Sequence, residues 1–570
     1  MAEDGGGLAQ GQRGTAAVGT TTEQPALVSS LLRPEAYPHP VGELQLLETH
    51  LSWVILTGPY AYKLKKPVAF GFVDFSTPAK RDQACREELR LNQRLSPERY
   101  LDLVAVAGPA ESARIVVGLD AATEPAVGTP LTLAVRMLQF EQQQLLPAVL
   151  ARGELGEEAI STFAEALAQF HSDAAQAPAA TGWGTSEAVI QPVRDNLTAL
   201  AKAADTAADS GAPIDTAQLE RLNHWVRVQG AALTPWFEGR RNQGQIRECH
   251  GDLHLGNMLL GPQGIEVFDA LEFSETLRWI DPISELAFLV MDLAVRGRPD
   301  LGSELLNRWI ESTGDADGLR GWAWYSAYRA LVRAKVNGLR LGQAGLSPQE
   351  RQQCRTDLQG YLDLAERWTQ PRPRGLVLMH GLSGSGKSTV AARLGQQLGA
   401  MVFRSDVERK RLFGLWGIRP THQLEGDLYG ADASRFLYQQ ALPSLVESAL
   451  AGGLPVILDA CFLRQGERRQ MADLATRLGV PLQIVACSAP EATLRQRLLQ
   501  RTAEGRDPSD ATVEVMEQQL GWLEPLTPAE EAICHRVDAN TDLIGNSITD
   551  SIASSIANSF ATAIAAGFRP

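Results

Sequence analysis

Residues 381–388, GLSGSGKS, constrain the fold of this chain more than any other stretch. They fill the pattern G-x-x-x-x-G-K-[ST], in which a glycine-rich turn joins a strand to a helix. The flanks agree: GLVLM before the turn is a short apolar run, and STVAARLGQQLG after it has helical spacing. Further apolar runs, MVF, PVILDA and LQIVAC, follow along the chain. Strands alternating with helices predict an α/β domain built on a parallel sheet. Gly381, Gly384 and Gly386 let the backbone bend its N–H groups around an anion, and the helix adds the positive end of its dipole. In such a loop Lys387 reaches the β- and γ-phosphates and the Ser388 hydroxyl ligates Mg2+. Gly381, Leu382, Ser383, Gly384, Ser385, Gly386, Lys387, Ser388 and Thr389 are therefore the expected cradle for ATP.

The same half of the chain offers partners for a bound phosphate. VILDA ends in Asp459, which suits a carboxylate at the C-terminal end of a strand, beside the metal. Asp406, in FRSDVERKRLFG, follows another strand and can orient or deprotonate an acceptor hydroxyl. The plainer reading of both is a helix cap. Arg409, Lys410 and Arg411 either hold an anionic substrate or form a solvated helix face. Arg497 and Arg501 are four apart and share a helix face; with Arg506 they suit a basic lid over transferring phosphate, where the plain alternative is a charged surface helix. The stretches GLSGSGKST, RSD, VILDA and RLLQR make residues 376–540 resemble the P-loop kinases of small molecules, close to gluconate kinase, chloramphenicol phosphotransferase and the zeta toxins. The resemblance implies that Asp406 lies in the acceptor site and that Arg497 and Arg501 belong to the lid. It does not carry the substrate over.

A second constellation lies upstream in ECHGDLHLGNMLL. Asp252 precedes Asn257 by five residues, the spacing of the catalytic loop H-R-D-x-x-x-x-N, with glycine in place of arginine. The carboxylate can orient a substrate hydroxyl, and the amide can turn back to a metal ion. Asp269, at the end of GIEVFD, fits the second metal-binding Asp, although the triplet reads DAL. His254 reads as a loop-packing residue, because no second histidine sits at ligand spacing. Lys63 and Lys65, in AYKLKKPV, share one face of a strand. Glu87 and Glu88 lie on the next helix, and a Lys–Glu ion pair there would place an ammonium on the α- and β-phosphates. The choice falls on Lys63 and Glu88, with a solvent-facing pair of lysines as the alternative. These residues, with FAEALAQFHSD at 163–173, resemble the aminoglycoside phosphotransferase and choline kinase group. The resemblance implies a bilobal α+β protein-kinase-like fold over about 45–340. It departs in one respect: only LTGPYAYK precedes Lys63, with no G-x-G-x-x-G loop. The whole chain resembles a bacterial two-domain family that joins such a domain to a P-loop domain.

The expected organisation is a disordered lead-in over 1–28, a kinase-like domain over 29–368, a Pro/Arg linker TQPRPRG, a P-loop domain over 376–540 and a tail over 541–570. In the tail, Ile544, Ile548, Ile552, Ile556, Phe560, Ile564 and Phe568 recur every four residues. Such a row belongs to a loosely ordered tail, a helix packed on its own domain, or a helix that docks on a partner or a second copy. The net charge of −14 argues against nucleic acid and anionic membranes, and no apolar run is long enough to span a bilayer. Six cysteines with no C-x-x-C pair suit reduced thiols in a cytoplasm, and no signal peptide is expected. The expected activity is transfer of the ATP γ-phosphate, with Mg2+, to a hydroxylated small molecule. The competing expectation is a nucleotide-gated switch whose N-terminal half is a pseudokinase. A polynucleotide kinase is disfavoured by acidity and by the absence of an aromatic–basic stripe.

Overall fold

The computed structural model describes residues 25–70, 73–118, 130–207, 214–343, 345–418, 427–504, 508–538 and 546–565. Most of the lead-in, together with Arg506, Ile544 and Phe568, lies outside them.

The N-terminal lobe is a six-stranded antiparallel sheet in the order Gln45–Glu48, Ser52–Leu56, Tyr60–Lys65, Thr132–Leu138, Tyr100–Ala107, Arg114–Val117. A bend at Gly58–Pro59 joins Ser52–Leu56 to Tyr60–Lys65. Tyr60–Lys65 is followed by a separate antiparallel pair, Ala69–Phe70 with Val73–Asp74. Lys66 and Pro67 part the two pieces. The helix Pro78–Asn92 crosses one face of the sheet, capped by the Thr77 side chain. It buries Cys85 and Leu91, but also Glu88 and Asn92, so its inner face is not purely apolar.

The second lobe is helical. Its core elements are Glu157–Asp173, Ser186–Ala207, Thr216–Asn242, Pro282–Val295, Pro299–Thr313, Trp322–Leu341 and Pro348–Thr369. The last of these runs to residue 369, so the break between domains is confined to 370–375.

The C-terminal domain has five parallel strands in the order Met401–Arg404, Val456–Asp459, Leu376–His380, Leu482–Ser488, Cys534–Asp538. All five residues of Leu376–His380 are buried, which is why its first four read as an unbroken apolar run. The Ile-stepped row forms the helix Asn546–Ala565. It buries Ile552, Ala553, Ile556 and Phe560 against Val377, Val390, Leu394 and Val485 of its own domain. A four-residue step drifts around a helix of 3.6 residues per turn, so Ile548 leaves the buried face and is exposed. The packed helix is thus the observed form of residues 546–565.

The two domains share a core through the helix Pro299–Thr313. Asn307 sits against the sheet edge Met401–Arg404, where its amide accepts from Val402 N at 2.7 Å and donates to Ala400 O at 3.0 Å. The side chain replaces a missing neighbouring strand on that edge. Trp309, on the same helix, is buried toward the first domain.

Candidate functional sites

In the N-terminal cleft the two lysines share one carboxylate. Lys63 Nζ lies 2.6 Å from Glu88 Oε1, and Lys65 Nζ lies 2.6 Å from Glu88 Oε2. Beyond Glu88 they part: Lys63 reaches Asp269 Oδ1 at 2.5 Å, and Lys65 pairs with Glu272. Lys63 therefore faces the cleft, and Lys65 anchors the strand from inside. Burial opposes both ammonium charges, but the carboxylates outweigh it and hold both lysines above their ordinary range. Burial likewise opposes charge on Glu88 and Asp269, and Lys63 in turn holds both below the usual carboxylate range.

Asp269 sits on a turn with φ 66°, a conformation that Asp tolerates better than most residues. Its N–H donates to Tyr100 Oη at 3.1 Å, and the next N–H, of Ala270, donates to Asn92 Oδ1 at 2.9 Å. Glu88 and Asn92 on the helix Pro78–Asn92, with Tyr100 on the neighbouring strand, thus place both ends of the ion-pair chain.

Asp252 and Asn257 are brought together as their spacing predicts. Asn257 Nδ2 donates to Asp252 O at 3.0 Å and to Asp252 Oδ2 at 3.1 Å, which leaves the Asn257 amide oxygen for a cation. His254 Nε2 is 3.4 Å from Asp252 Oδ2. Burial would raise Asp252, but the His254 hydrogen bond and the nearby His254, His250 and Arg329 charges hold it well below the ordinary range. Gly251, in place of the arginine of the kinase motif, has φ 91°, and an added Cβ would stand 3.0 Å from Leu277 O. Glycine suits both constraints at this point between His250 and Asp252.

The loop is braced from below by a residue the sequence reading missed. Glu285 Oε1 accepts from Gly251 N at 2.6 Å, and Oε2 accepts from His250 N at 3.3 Å and His171 Nε2 at 2.9 Å. Trp309 Nε1 donates to His171 Nδ1 at 3.1 Å, which puts the imidazole hydrogen on Nε2. The available signal was a carboxylate inside the apolar run PISELAFLV, where an unpaired charge is too costly to persist. Burial would raise Glu285, yet the hydrogen bonds from His171 Nε2 and Gly251 N–H bring it down to about 2. A depressed carboxylate stabilises the fold above its unfolded pKa, and that contribution is lost as pH falls. Stability of the N-terminal domain is therefore expected to drop by about 3 kcal/mol from this group alone between about pH 5 and pH 2. Denaturant titrations across that range check it, and Glu285→Gln is expected to flatten the slope.

The loops ahead of Lys63 differ from a nucleotide clamp. In the turn between the second and third strands, Thr57 N and Gly58 N donate to Gln139 Oε1 at 3.1 and 2.9 Å. In the turn before it, Leu51 N and Ser52 N donate to Thr49 Oγ1 at 3.3 and 2.9 Å. These amides are satisfied within the protein.

In the C-terminal domain the predicted cradle forms. Gly381, Gly384 and Gly386 have φ of 136°, 82° and 81°. A Cβ on Gly381 would lie 2.2 Å from Cys487 O, so no other residue fits there. Lys387 opens the helix Lys387–Leu398, and its Nζ donates to Leu382 O at 2.8 Å. Among the described residues Ser385 Oγ has no hydrogen-bond partner, although it is buried inside the loop. Asp459 ends its strand beside Arg404, whose Nε is 3.6 Å away, and accepts a hydrogen bond from Ser388. Burial pushes Asp459 up despite these partners. Neither aspartate caps a helix: the cap position before Ser405–Leu412 is Arg404, and the helix after Asp459 begins only at Gln465.

Asp406, Arg497 and Arg501 meet Lys387, Ser388 and Asp459 around one cavity of about 1200 Å³. Arg497 Nη1 approaches Gly384 O at 3.5 Å, and Arg501 Nη2 donates to Ala511 O at 2.6 Å. Of the basic run, Arg409 turns inward to Leu428 O and Ser434 Oγ, Arg411 reaches Glu311 O across the domain interface, and Lys410 pairs with Asp510 at 2.9 Å. The run is thus neither a uniform anion site nor a solvated face. Ser388 and Asp459, and separately Asn257 and Asp269, are hard oxygen donors of the kind that suit Mg2+.

Fold and sites together define a two-domain protein with a kinase-like unit followed by a P-loop unit. Residues 72–328 match the phosphotransferase enzyme family, and 376–526 match an AAA domain. The chain is 31% identical over 485 residues to the uncharacterized protein Rv2004c of Mycobacterium tuberculosis, covering 84% of this chain and 90% of that protein. The same figures hold for uncharacterized protein Mb2027c of Mycobacterium bovis. The chain belongs to the two-domain family of these mycobacterial proteins. Among solved structures it is similar to a choline/ethanolamine kinase family protein from Mesorhizobium loti, with TM-score 0.36 and 13% identity over 60% of this chain and 94% of that one. It is also similar to a gluconokinase from Sinorhizobium meliloti, with TM-score 0.24 and 20% identity over 34% of this chain and 97% of that one. Among the described residues no helix is long and apolar enough to cross a membrane.

Proposed function

We propose that the chain is an ATP-dependent phosphotransferase with two tandem nucleotide sites, each moving a γ-phosphate to the hydroxyl of a small molecule. The observation that carries the reading is the C-terminal cavity, where Lys387, Ser388, Asp459, Asp406, Arg497 and Arg501 line one space large enough for a nucleotide and a second small molecule. Lys387 and the loop amides would hold the β- and γ-phosphates, and Ser388 and Asp459 the Mg2+ side. Asp406 would orient the acceptor hydroxyl, and Arg497 and Arg501 would offset charge developing in transfer. In the N-terminal cleft, Asp252 would orient the hydroxyl and Asn257 and Asp269 would hold Mg2+. Lys63, steadied by Glu88, would turn from Asp269 to the phosphates. The metal supplies neutralisation of the triphosphate charge. Six free cysteines among the described residues fit a reducing cytoplasm, where ATP is at hand.

Acceptor screening with ATP, using Lys387→Ala and Asp252→Ala separately, tests both assignments. Each variant is expected to lose one set of phosphorylated products and keep the other. Full activity in both would overturn the roles of Lys387 and Asp252.

A second reading has its own support. The turn amides ahead of Lys63 are bonded to Gln139 and Thr49, and Pro299–Thr313 touches both the Glu285–His171 brace and the P-loop sheet edge. That arrangement suits a switch in which the N-terminal domain responds to nucleotide in the P-loop rather than turning over its own. Asp252→Ala tells the readings apart: a switch loses no phosphorylated product.

A further inference from the structure

Gln519 lies on the helix Val513–Trp522, just beyond the arm that carries Arg497 and Arg501, and is only 7% exposed. Its side chain reaches the cradle itself: Gln519 Oε1 accepts from Ser383 N at 2.8 Å. A backbone N–H can only donate, so the amide oxygen faces Ser383 and the amide nitrogen faces the other way. There Nε2 donates to Cys461 Sγ at 3.6 Å, two residues past Asp459. That is a weak use of one of its two hydrogens. Gln519 also lines the cavity that holds Lys387 and Arg497. A nearly buried primary amide with an unspent donor, fixed to the third residue of a phosphate loop, is placed to meet an anion.

We propose that Gln519 is a further nucleotide-contacting residue, donating from Nε2 to the terminal phosphoryl group of a nucleoside triphosphate in the P-loop site. The inference rests on the reading of that site as a triphosphate site. The glutamine would distinguish triphosphate from diphosphate, because its oxygen is committed to Ser383 and only its donor remains for a ligand. It also ties the lid arm to the loop: Arg501 donates to Ala511 O, and the helix bearing Gln519 begins two residues later.

The experiment is calorimetric titration of the full chain with Mg-ATP and with Mg-ADP. The P-loop signal is identified as the part lost in Lys387→Ala. In Gln519→Glu the carboxylate still accepts from Ser383 N, but it confronts the terminal phosphate with negative charge. ATP binding is expected to weaken about tenfold or more, and ADP binding to change less than about threefold. Gln519→Met, similar in length and without the donor, is expected to shift the ATP/ADP ratio in the same direction. Equal weakening for both nucleotides in both variants would mean that Gln519 only shapes the loop, and an unchanged ratio would likewise overturn the proposal. A wild-type chain with no Lys387-dependent signal would overturn the P-loop reading as well.

Discussion

Replacing Lys387 with alanine is expected to lower kcat/KM for ATP-dependent transfer at the C-terminal site by about 10³-fold, with little change in fold. The ammonium is the cation of the loop itself, and its Nζ donates to the loop's own Leu382 carbonyl at 2.8 Å. With a triphosphate in place that donor would move to phosphate oxygens, so truncation removes an interaction stronger in the transition state than before it. The structural cost is one carbonyl losing its partner, about 1 kcal/mol. Steady-state kinetics beside a urea melt separates the two effects. A variant with normal turnover would show that the cradle holds no transferring phosphate.

Glu88→Ala is expected to have the largest effect on stability, about 3–5 kcal/mol for the N-terminal domain. Its two oxygens serve two lysines, and Lys65 is almost wholly buried. Alanine would leave Lys65 with Glu272 alone and Lys63 with Asp269 alone, and burial already pushes Glu272 up, toward its neutral form. An ammonium short of a carboxylate in a dry site is costly in a way that a missing pair is not. Glu88→Ala combined with Lys65→Met should therefore recover part of the loss, measured by denaturant unfolding. If the single variant is as stable as wild type, the buried network does not organise this lobe.

The sequence made some of these features readable and hid others for physical reasons. GLSGSGKS was legible because each glycine answers a backbone requirement that no other residue meets, as Gly381 against Cys487 O illustrates. The Asp252–Asn257 spacing was legible because a short loop closes on itself. The choice between Lys63 and Lys65 was not, because strand alternation puts both on one face and only the third dimension separates Asp269 from Glu272. Glu285 and Gln519 act at a distance in sequence of more than thirty and more than a hundred residues from the amides they hold. No local pattern marks such a bond. The strand Gln45–Glu48 escaped because it is an edge strand with exposed ends and a weak apolar signal. A helix packed on its own domain was among the forms the tail's repeat allowed; which surface it covers was set by the P-loop helix and the sheet face beneath it.

The central claim is that one chain holds two independent triphosphate sites. Calorimetric stoichiometry of Mg-ATP binding to the full chain tests it most directly. Two equivalents are expected for the wild type, one for Lys387→Ala and one for Lys63→Ala. A single equivalent, abolished by Lys387→Ala and untouched by Lys63→Ala, would contradict it.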